Sequence, residues 1–263
     1  MKSFGIILFL FVSSLVNVNA QLIPERFKGY PKSHVLPSEQ LKEQLKANDF
    51  SKLLNSKDNS IVYGFIGDNY QRIRVKFISI KQDSLFSDIY HVYGKSMVKN
   101  NIDEFNGEIK IVKIYKLIVT QHGCEDGYKY KGYKGQFSLI GEYLFSENKN
   151  QGHSGIFKGK VQSDYFINKY NKVCYNDIEN CADGFTNNQF VGTWTNYKST
   201  EIKTCNWGDY RIPNSGYLDI GAGEFSPADK YLKYGWQSRR DYFLQSGPNY
   251  HQAKQIEEAK WWQ

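Results

Sequence analysis

From Ile61 onward, apolar and polar residues alternate with the period of two that is typical of β-strands. The clearest case lies between Tyr70 and Ile80, where apolar residues at 73, 75 and 77 alternate with three basic residues. One face of such a strand is buried and the other faces water. Similar segments follow over 87–98, 104–119, 136–145, 154–167 and 189–197. With about eight short strand candidates, the chain is predicted to be mainly β, an antiparallel barrel-like or sandwich domain.

Helical patterns flank the strands. Ser38 occupies an N-cap position before leucines at helical spacing, and a break is expected near Asn48-Asp49. Ser226-Pro227 predicts a short helix that ends by Gly235, and Pro248 begins a last helical pattern. The chain thereby divides into an extended lead-in with a short N-terminal helix (21–60), an antiparallel β domain (61–247) and a C-terminal helical tail (248–263).

Residues 1–20 have the features of a cleaved signal peptide. Lys2 precedes an apolar run from Phe4 to Val16, and Val18-Asn19-Ala20 is a small-residue cleavage site. The run is shorter than the roughly 20 apolar residues that a membrane-spanning helix needs. We therefore expect an exported protein, secreted or periplasmic, that is not an integral membrane protein.

The chain has four cysteines, an even number that favours two disulfides in an oxidising compartment. Cys174 and Cys181 bracket a short polar loop, so they are predicted to pair with each other. Cys124 is then predicted to pair with Cys205.

Composition and motifs exclude several functions. The formal net charge of +7 is spread along the chain without a basic block, which is typical of a soluble protein, and no nucleic-acid partner is predicted. The sequence contains none of the common hydrolase, metalloprotease or nucleotide-binding motifs, and its five histidines are far apart. We expect no enzyme activity, no cofactor and no metal.

The stretch from Asn187 to Trp236 holds three of the five tryptophans together with several charged side chains. Flat rings combined with a few fixed polar groups are what a ligand pocket needs. The alternative is that most of these rings fill the core, where aromatic residues are common. The predicted ligand-binding residues are Trp194, Trp207, Tyr210, Arg211, Asp219, Glu224 and Trp236.

Within this stretch, Phe190-Val-Gly192-Thr-Trp194 resembles the G-x-W element near the start of lipocalin barrels. The resemblance covers five residues and lies late in the chain, and it does not assign the family. It implies only a barrel that holds a ligand.

Three functions are compatible with these observations. The first is non-enzymatic binding of a small or saccharide-like ligand at the aromatic end of the domain. The second is a protein-interaction module, an envelope or secreted inhibitor, that contacts a protein partner through the Tyr/Lys tract from Tyr128 to Lys134. The third is a glycoside hydrolase-like enzyme using Asp219 and Glu224, or Asp209, which requires two carboxyls within about 10 Å of each other.

Overall fold

The structure is a computed structural model that describes residues 33–55, 58–129 and 131–263. Its strands are β1 (Ser33–Val35), β2 (Val62–Ile66), β3 (Gln71–Gln82), β4 (Ile89–Val98), β5 (Asn101–Leu117), β6 (Gly135–Glu147), β7 (Gly155–Ile167), β8 (Val173–Tyr175), β9 (Asn187–Asn196) and β10 (Ile202–Asp209). Its α-helices are α1 (Ser38–Ala47), α2 (Ser51–Leu54), α3 (Gln237–Phe243) and α4 (Tyr250–Glu258), and short 3-10 turns lie at Asn59–Ile61, Cys124–Asp126, Gly216–Leu218 and Asp229–Tyr234. The predicted signal peptide lies outside the described residues.

Eight strands form a closed antiparallel barrel. From β2 to β7 each strand pairs with the next, β7 pairs with β9, β9 with β10, and β10 returns to pair with β2. The two remaining strands lie outside this ring, β1 beside β5 and β8 beside β7. The predicted mainly β fold, with a short N-terminal helix and a C-terminal helical segment, is confirmed, and the closure of the ring identifies it as a barrel.

Aromatic side chains fill the interior of the barrel. On β3 the apolar residues at 73, 75 and 77 are buried, as the alternation predicts. Phe77 contacts the rings of Phe105, Phe145 and Phe190, and Trp207 stacks on Phe190 with ring centroids 4.8 Å apart. Rings contributed by several strands therefore meet at the barrel axis.

The strand that closes the barrel, β10, is absent from the predicted series, which ends at Tyr197. Cys205 and Trp207 point into the core, but the outward-facing Asn206 is also buried and donates a hydrogen bond to the Pro213 carbonyl oxygen at 3.1 Å. Because both faces of this strand are covered, it lacks the alternation between apolar and polar residues that marks a half-buried strand.

The two ends of the barrel differ. At one end, Phe50 and the leucines of α2 are buried among interior residues, and the Phe50 ring lies 5.1 Å from the ring of Tyr165. The Phe50 backbone N–H also donates to the Tyr90 hydroxyl at 3.1 Å. The helices α1 and α2, separated at the predicted break, thus close this end. The opposite end carries the hairpin connections at 67–70, 99–100, 148–154 and 197–201.

A second, smaller core lies outside the barrel, on the outer face of β2. Its members come from β2 and from the chain after β10: Tyr63, Phe65, Ile212, Leu218, Phe225 and Trp236. The Trp236 indole N–H donates to the Tyr70 carbonyl oxygen at 2.8 Å. The chain that follows the closing strand therefore covers the seam between β10 and β2.

A buried ion cluster attaches the C-terminal helices to the outer face of β3. Both oxygens of Glu257 accept hydrogen bonds from Arg72, at 2.7 and 2.6 Å, and Arg74 lies 3.0 Å from the same carboxylate. Burial alone would raise the pKa of Glu257, but the hydrogen bonds and charges of Arg72 and Arg74 lower it to about 2. The tail is thus held by charge as well as by packing.

The disulfide pairing predicted from the sequence is wrong. Cys124 is bonded to Cys181, with Cα atoms 6.5 Å apart. Cys205 is fully buried in the barrel core, and the Cys174 thiol lies 3.4 Å from the Asn168 amide nitrogen. The bonded cysteines lie in loops at the helix-closed end, which brings them together although 57 positions separate them. A disulfide is compatible with an exported protein.

Within the described residues, no helix is both long enough and apolar enough to cross a membrane.

The contact between β7 and β9 depends on two glycines. Gly159 lies opposite Gly192, and the Tyr143 hydroxyl from β6 lies beside both. A Cβ on Gly192 would fall 2.5 Å from the Tyr143 hydroxyl oxygen and would clash with the Lys158 carbonyl oxygen. Tyr143 lies on the strand next to Gly159 and two strands away from Gly192, so one side chain from β6 occupies the space beside both glycines.

We expect Gly192→Ala to lower the free energy of unfolding by about 1–3 kcal/mol, because the added methyl group overpacks the barrel wall. Gly152→Ala is the control, since a Cβ at Gly152 meets nothing within 4 Å, and its effect should stay within about 0.5 kcal/mol. Urea unfolding of both variants measures the difference. Equal stabilities would show that the wall accommodates the methyl group.

Glu257→Gln should destabilise the protein by about 3 kcal/mol at neutral pH, since the pKa of Glu257 is about 2 when folded against an ordinary value of 4.5. A carboxyl whose pKa is lowered by folding stabilises the protein at pH values above its unfolded-state pKa. This contribution is lost as the pH falls through the folded-state pKa. The difference from wild type should therefore shrink between pH 4.5 and pH 2. Glu258→Gln, at the exposed neighbouring position, is the control, and urea unfolding at several pH values is the measurement. If the difference in the free energy of unfolding between wild type and Glu257→Gln does not change with pH, the destabilisation comes from lost packing.

Candidate site at the open end of the barrel

The residues predicted to bind a ligand lie in four different places. Trp194 and Trp207 point into the barrel from β9 and β10, and Trp236 is fully buried in the outer core. Tyr210 is half-buried, with its ring 5.0 Å from that of Phe185. The remaining three belong to one surface loop: Arg211, Asp219 and Glu224.

That loop is organised by an ion pair. Arg211 donates to Asp219 at 2.8 Å and to the carbonyl oxygens of Gly221 and Ala222. Asp219 also accepts from two backbone N–H groups of the loop, whereas Glu224 is exposed. These contacts give Asp219 a structural partner for its charge. Asp209, the third carboxyl considered, is buried and accepts from the Tyr175 hydroxyl at 3.0 Å.

A cavity of about 700 Å³ occupies the hairpin end of the barrel, and Trp194 is the one predicted ligand-binding residue that lines it. Its apolar wall includes Ile66, Ile73, Val98, Phe157 and Trp194. The carboxyls of Asp103 and Glu147 and the hydroxyl of Ser96 lie at its base, next to the aromatic core. Cavities of this size are typical of small-molecule sites.

Glu147, the last residue of β6, is one of the two carboxyls and is 5% exposed. It accepts hydrogen bonds from the Ser96 hydroxyl at 2.6 Å, the Trp194 indole N–H at 2.9 Å and the Gly155 backbone N–H at 2.8 Å. Burial raises the pKa of Glu147, the bonds from Ser96 and Trp194 oppose that rise, and the charge of Asp103 adds to it. Three donors therefore fix the orientation of a carboxyl that has lost most of its water.

Asp103 on β5 is the other carboxyl and is 3% exposed. It lies opposite Ser96 in the barrel wall, and the Asn101 side-chain amide donates to its Oδ2. Its Oδ1 is buried and has no hydrogen-bond partner in the part of the chain that the structure describes. Burial raises the pKa of Asp103, and the Asn101 bond and the charge of His153 oppose the rise. A buried acceptor without a donor is costly for a protein and calls for an explanation.

Sequence reasoning missed both carboxyls because the predicted strands began at Glu104 and ended at Phe145. Extending the alternation by one step places Asp103 on the same face as Phe105, and Glu147 on the same face as Phe145. An acidic residue at an inward-facing position of a strand was the available signal. It lay just outside the predicted limits.

The Tyr/Lys tract lies at the other end of the molecule. Lys131 places its ammonium 3.9 Å from the centre of the Tyr128 ring, and the Tyr128 hydroxyl donates to Asp177 at 3.3 Å. The Tyr133 hydroxyl donates to the Gln121 carbonyl oxygen at 2.6 Å, and Tyr130 lies outside the described residues. The interaction with a protein partner stays a prediction.

The fold and the cavity together define the chain as an antiparallel eight-stranded barrel with one closed end and one open end. Comparison with protein-family models, curated proteins and solved structures finds no match to any of the three. Among the described residues, no group of three or more His, Cys, Asp and Glu side chains is arranged to hold a metal ion.

We expect Asp103→Asn to raise the free energy of unfolding by about 1 kcal/mol at neutral pH, because it removes a buried charge with an unsatisfied oxygen. A carboxyl whose folded pKa is raised costs stability above that pKa, and the cost disappears below the ordinary value of 3.8. The advantage of the variant should therefore fade in acid.

Asp68→Asn is the matched control, since Asp68 lines the same cavity but is exposed. Its stability should differ from wild type by less than about 0.5 kcal/mol. Thermal unfolding of both variants at neutral and acid pH measures the two effects. A destabilised Asp103→Asn variant would instead assign a structural role to this carboxylate.

Proposed function

We propose that this protein binds a small molecule non-enzymatically in the cavity at the open end of its barrel. The observation that carries the proposal is the cavity itself, about 700 Å³ in volume, with apolar walls and two buried carboxyls at its base. Such a combination buries the body of a ligand and fixes the orientation of one polar group.

The architecture supports binding at this end of the barrel. The helices and Phe50 fill the opposite end, and the rings of Phe105 and Phe145, stacked 5.3 Å apart, fill the middle. The interior is thus divided into a packed core and a recess. Eight-stranded barrels have an interior that side chains fill or that holds one small ligand, and this recess has the volume for the latter.

The proposal changes the location predicted from the sequence. Of the seven residues predicted to bind a ligand, it retains Trp194, whose ring lines the wall and whose indole N–H holds Glu147. The other six contribute to the core, to the cover over β2, or to the Arg211 loop. Asp103, Glu147 and Ser96 take their place at the polar end of the site.

Nile red, a neutral dye that becomes fluorescent in apolar surroundings, tests the proposal. We expect one dye molecule to bind per chain, and Val98→Trp to weaken binding at least about tenfold, because an indole at this wall position occupies the space that the ligand needs.

The control is Ile118→Trp, an exposed position just beyond β5 at the other end of the barrel, which should leave dye affinity unchanged. Fluorescence titration measures both variants. Absence of binding to the wild-type protein, or equal binding by both variants, would contradict the proposal.

A further inference from the structure

The lining of the cavity carries more carboxyls than ammonium groups, although the chain as a whole is basic. The residues that line the cavity include four carboxyls, Asp68, Asp103, Glu147 and Glu201, against two ammonium groups and the imidazole of His153. The whole chain carries a formal charge of +7. Fields from charges around a concave site raise the local concentration of ions of the opposite sign. The cavity is therefore electrostatically suited to a cation.

The two ammonium groups of the lining do not neutralise the carboxyls at the base. Lys203 lies 3.4 Å from Glu201, at the rim, and Lys99 is exposed in the hairpin between β4 and β5. Among the described residues, no Lys or Arg side chain lies within 4 Å of a carboxyl oxygen of Asp103 or Glu147. None of these Lys and Arg side chains therefore forms an ion pair with either carboxylate at the base of the cavity.

The hydrogen bonds of the two carboxyls show which oxygen could accept from a ligand. Glu147 already accepts from three donors, and Oδ2 of Asp103 accepts from Asn101. Oδ1 of Asp103 accepts from no donor among the described residues, and it is buried on a residue that lines the cavity. A bound donor at this oxygen would satisfy it, and a positive charge there would also offset the repulsion between the two carboxylates.

The aromatic wall is compatible with a cation. Trp194 lines the cavity, and the Lys203 ammonium lies 5.7 Å from the centre of its ring. Indole has the most favourable ring face for a cation among the aromatic side chains. The nearby apolar side chains of Ile73, Val98 and Phe157 offer burial to a hydrocarbon or ring system attached to the charge.

We propose that the ligand is a small organic amine whose protonated nitrogen donates to Oδ1 of Asp103, beside Glu147, while its apolar body lies against Trp194 and Phe157. This inference rests on the proposed function, because it assigns a chemical class to the ligand of the same cavity.

Three indoles that differ in one group test the assignment: tryptamine, which is cationic, tryptophol, which is neutral, and indole-3-acetate, which is anionic. Each is titrated against the complex of the full chain with Nile red. We expect tryptamine to displace the dye at a concentration at least about tenfold lower than tryptophol, as one charged hydrogen bond provides, and indole-3-acetate to be the weakest.

The variants locate the effect. Asp103→Asn should remove the advantage of tryptamine over tryptophol, and Asp68→Asn, which deletes the same charge at an exposed lining position, should change it by less than about threefold. The readout is the ratio of tryptamine to tryptophol affinity in each protein. Thermal unfolding of all three provides a measure of folding that does not depend on ligand binding.

Each outcome decides one of the two proposals. If Nile red binds in the cavity but tryptophol or indole-3-acetate displaces it as well as tryptamine does, the amine assignment fails and small-molecule binding stands. If Nile red does not bind in the cavity, the proposed function fails and the amine assignment fails with it. Equal losses of tryptamine affinity in both aspartate variants would attribute the preference to the general field of the open end and overturn the role of Asp103.

Discussion

The fold depends on the pairing of β10 with β2, which turns a meander of strands into a closed barrel. Until this seam forms, both strands are edges with unpaired backbone groups. The seam is buried on both sides, by Ile66 and Trp207 within the barrel and by Phe65 and Trp236 outside it. Because the two strands are far apart in the sequence, the entropy of closing the intervening chain has to be offset by burial on both faces. The segment after β10 supplies the outer half of that burial.

Three buried carboxyls in this protein illustrate two different uses of the same chemistry. Glu257 is surrounded by guanidinium groups, which lower its pKa, and its role is to hold the tail against β3. Asp103 and Glu147 are buried without an arginine or lysine partner among the residues that the structure describes, and the pKa of each is raised. Burial of a charge is tolerated in the first case because it is compensated within the chain. In the second case the compensation is incomplete, which is the usual condition of a group that acts on something outside the chain.

Local patterns along the sequence predicted the features that depend on neighbouring residues. The alternation at 73, 75 and 77 identified a strand and its buried face, and the polar pair Asn48-Asp49 marked the break between two helices. Features set by the arrangement of distant elements were not predictable in this way. Trp207 lies in a stretch with a mixed pattern, and only the pairing of β10 with β2 shows that it points inward.

The same limit applies to the cysteines and to the site. Cys174 and Cys181 are close in sequence, yet Cys124 reaches Cys181 because two loops meet at one end of the barrel. Asp103 and Glu147 come from different strands and lie near each other because their strands pair around Phe105. Asp103 and Glu147 each belong to an alternating strand pattern. Their shared position at the base of the cavity depends on strand register, which the sequence pattern alone did not specify.

The connections at the open end have a kinetic consequence. The four hairpins that surround the cavity are fixed at both ends by ladder hydrogen bonds of the barrel strands, and the longest of them, at 148–154, joins two of the longest strands. Long loops with few contacts are the segments that move as lids over binding sites, and the connections at this rim are short, from two residues at 99–100 to seven at 148–154. A small molecule would exchange with solvent without waiting for a segment to open. The lifetime of a complex would then be set by the rupture of its own contacts at the base of the cavity.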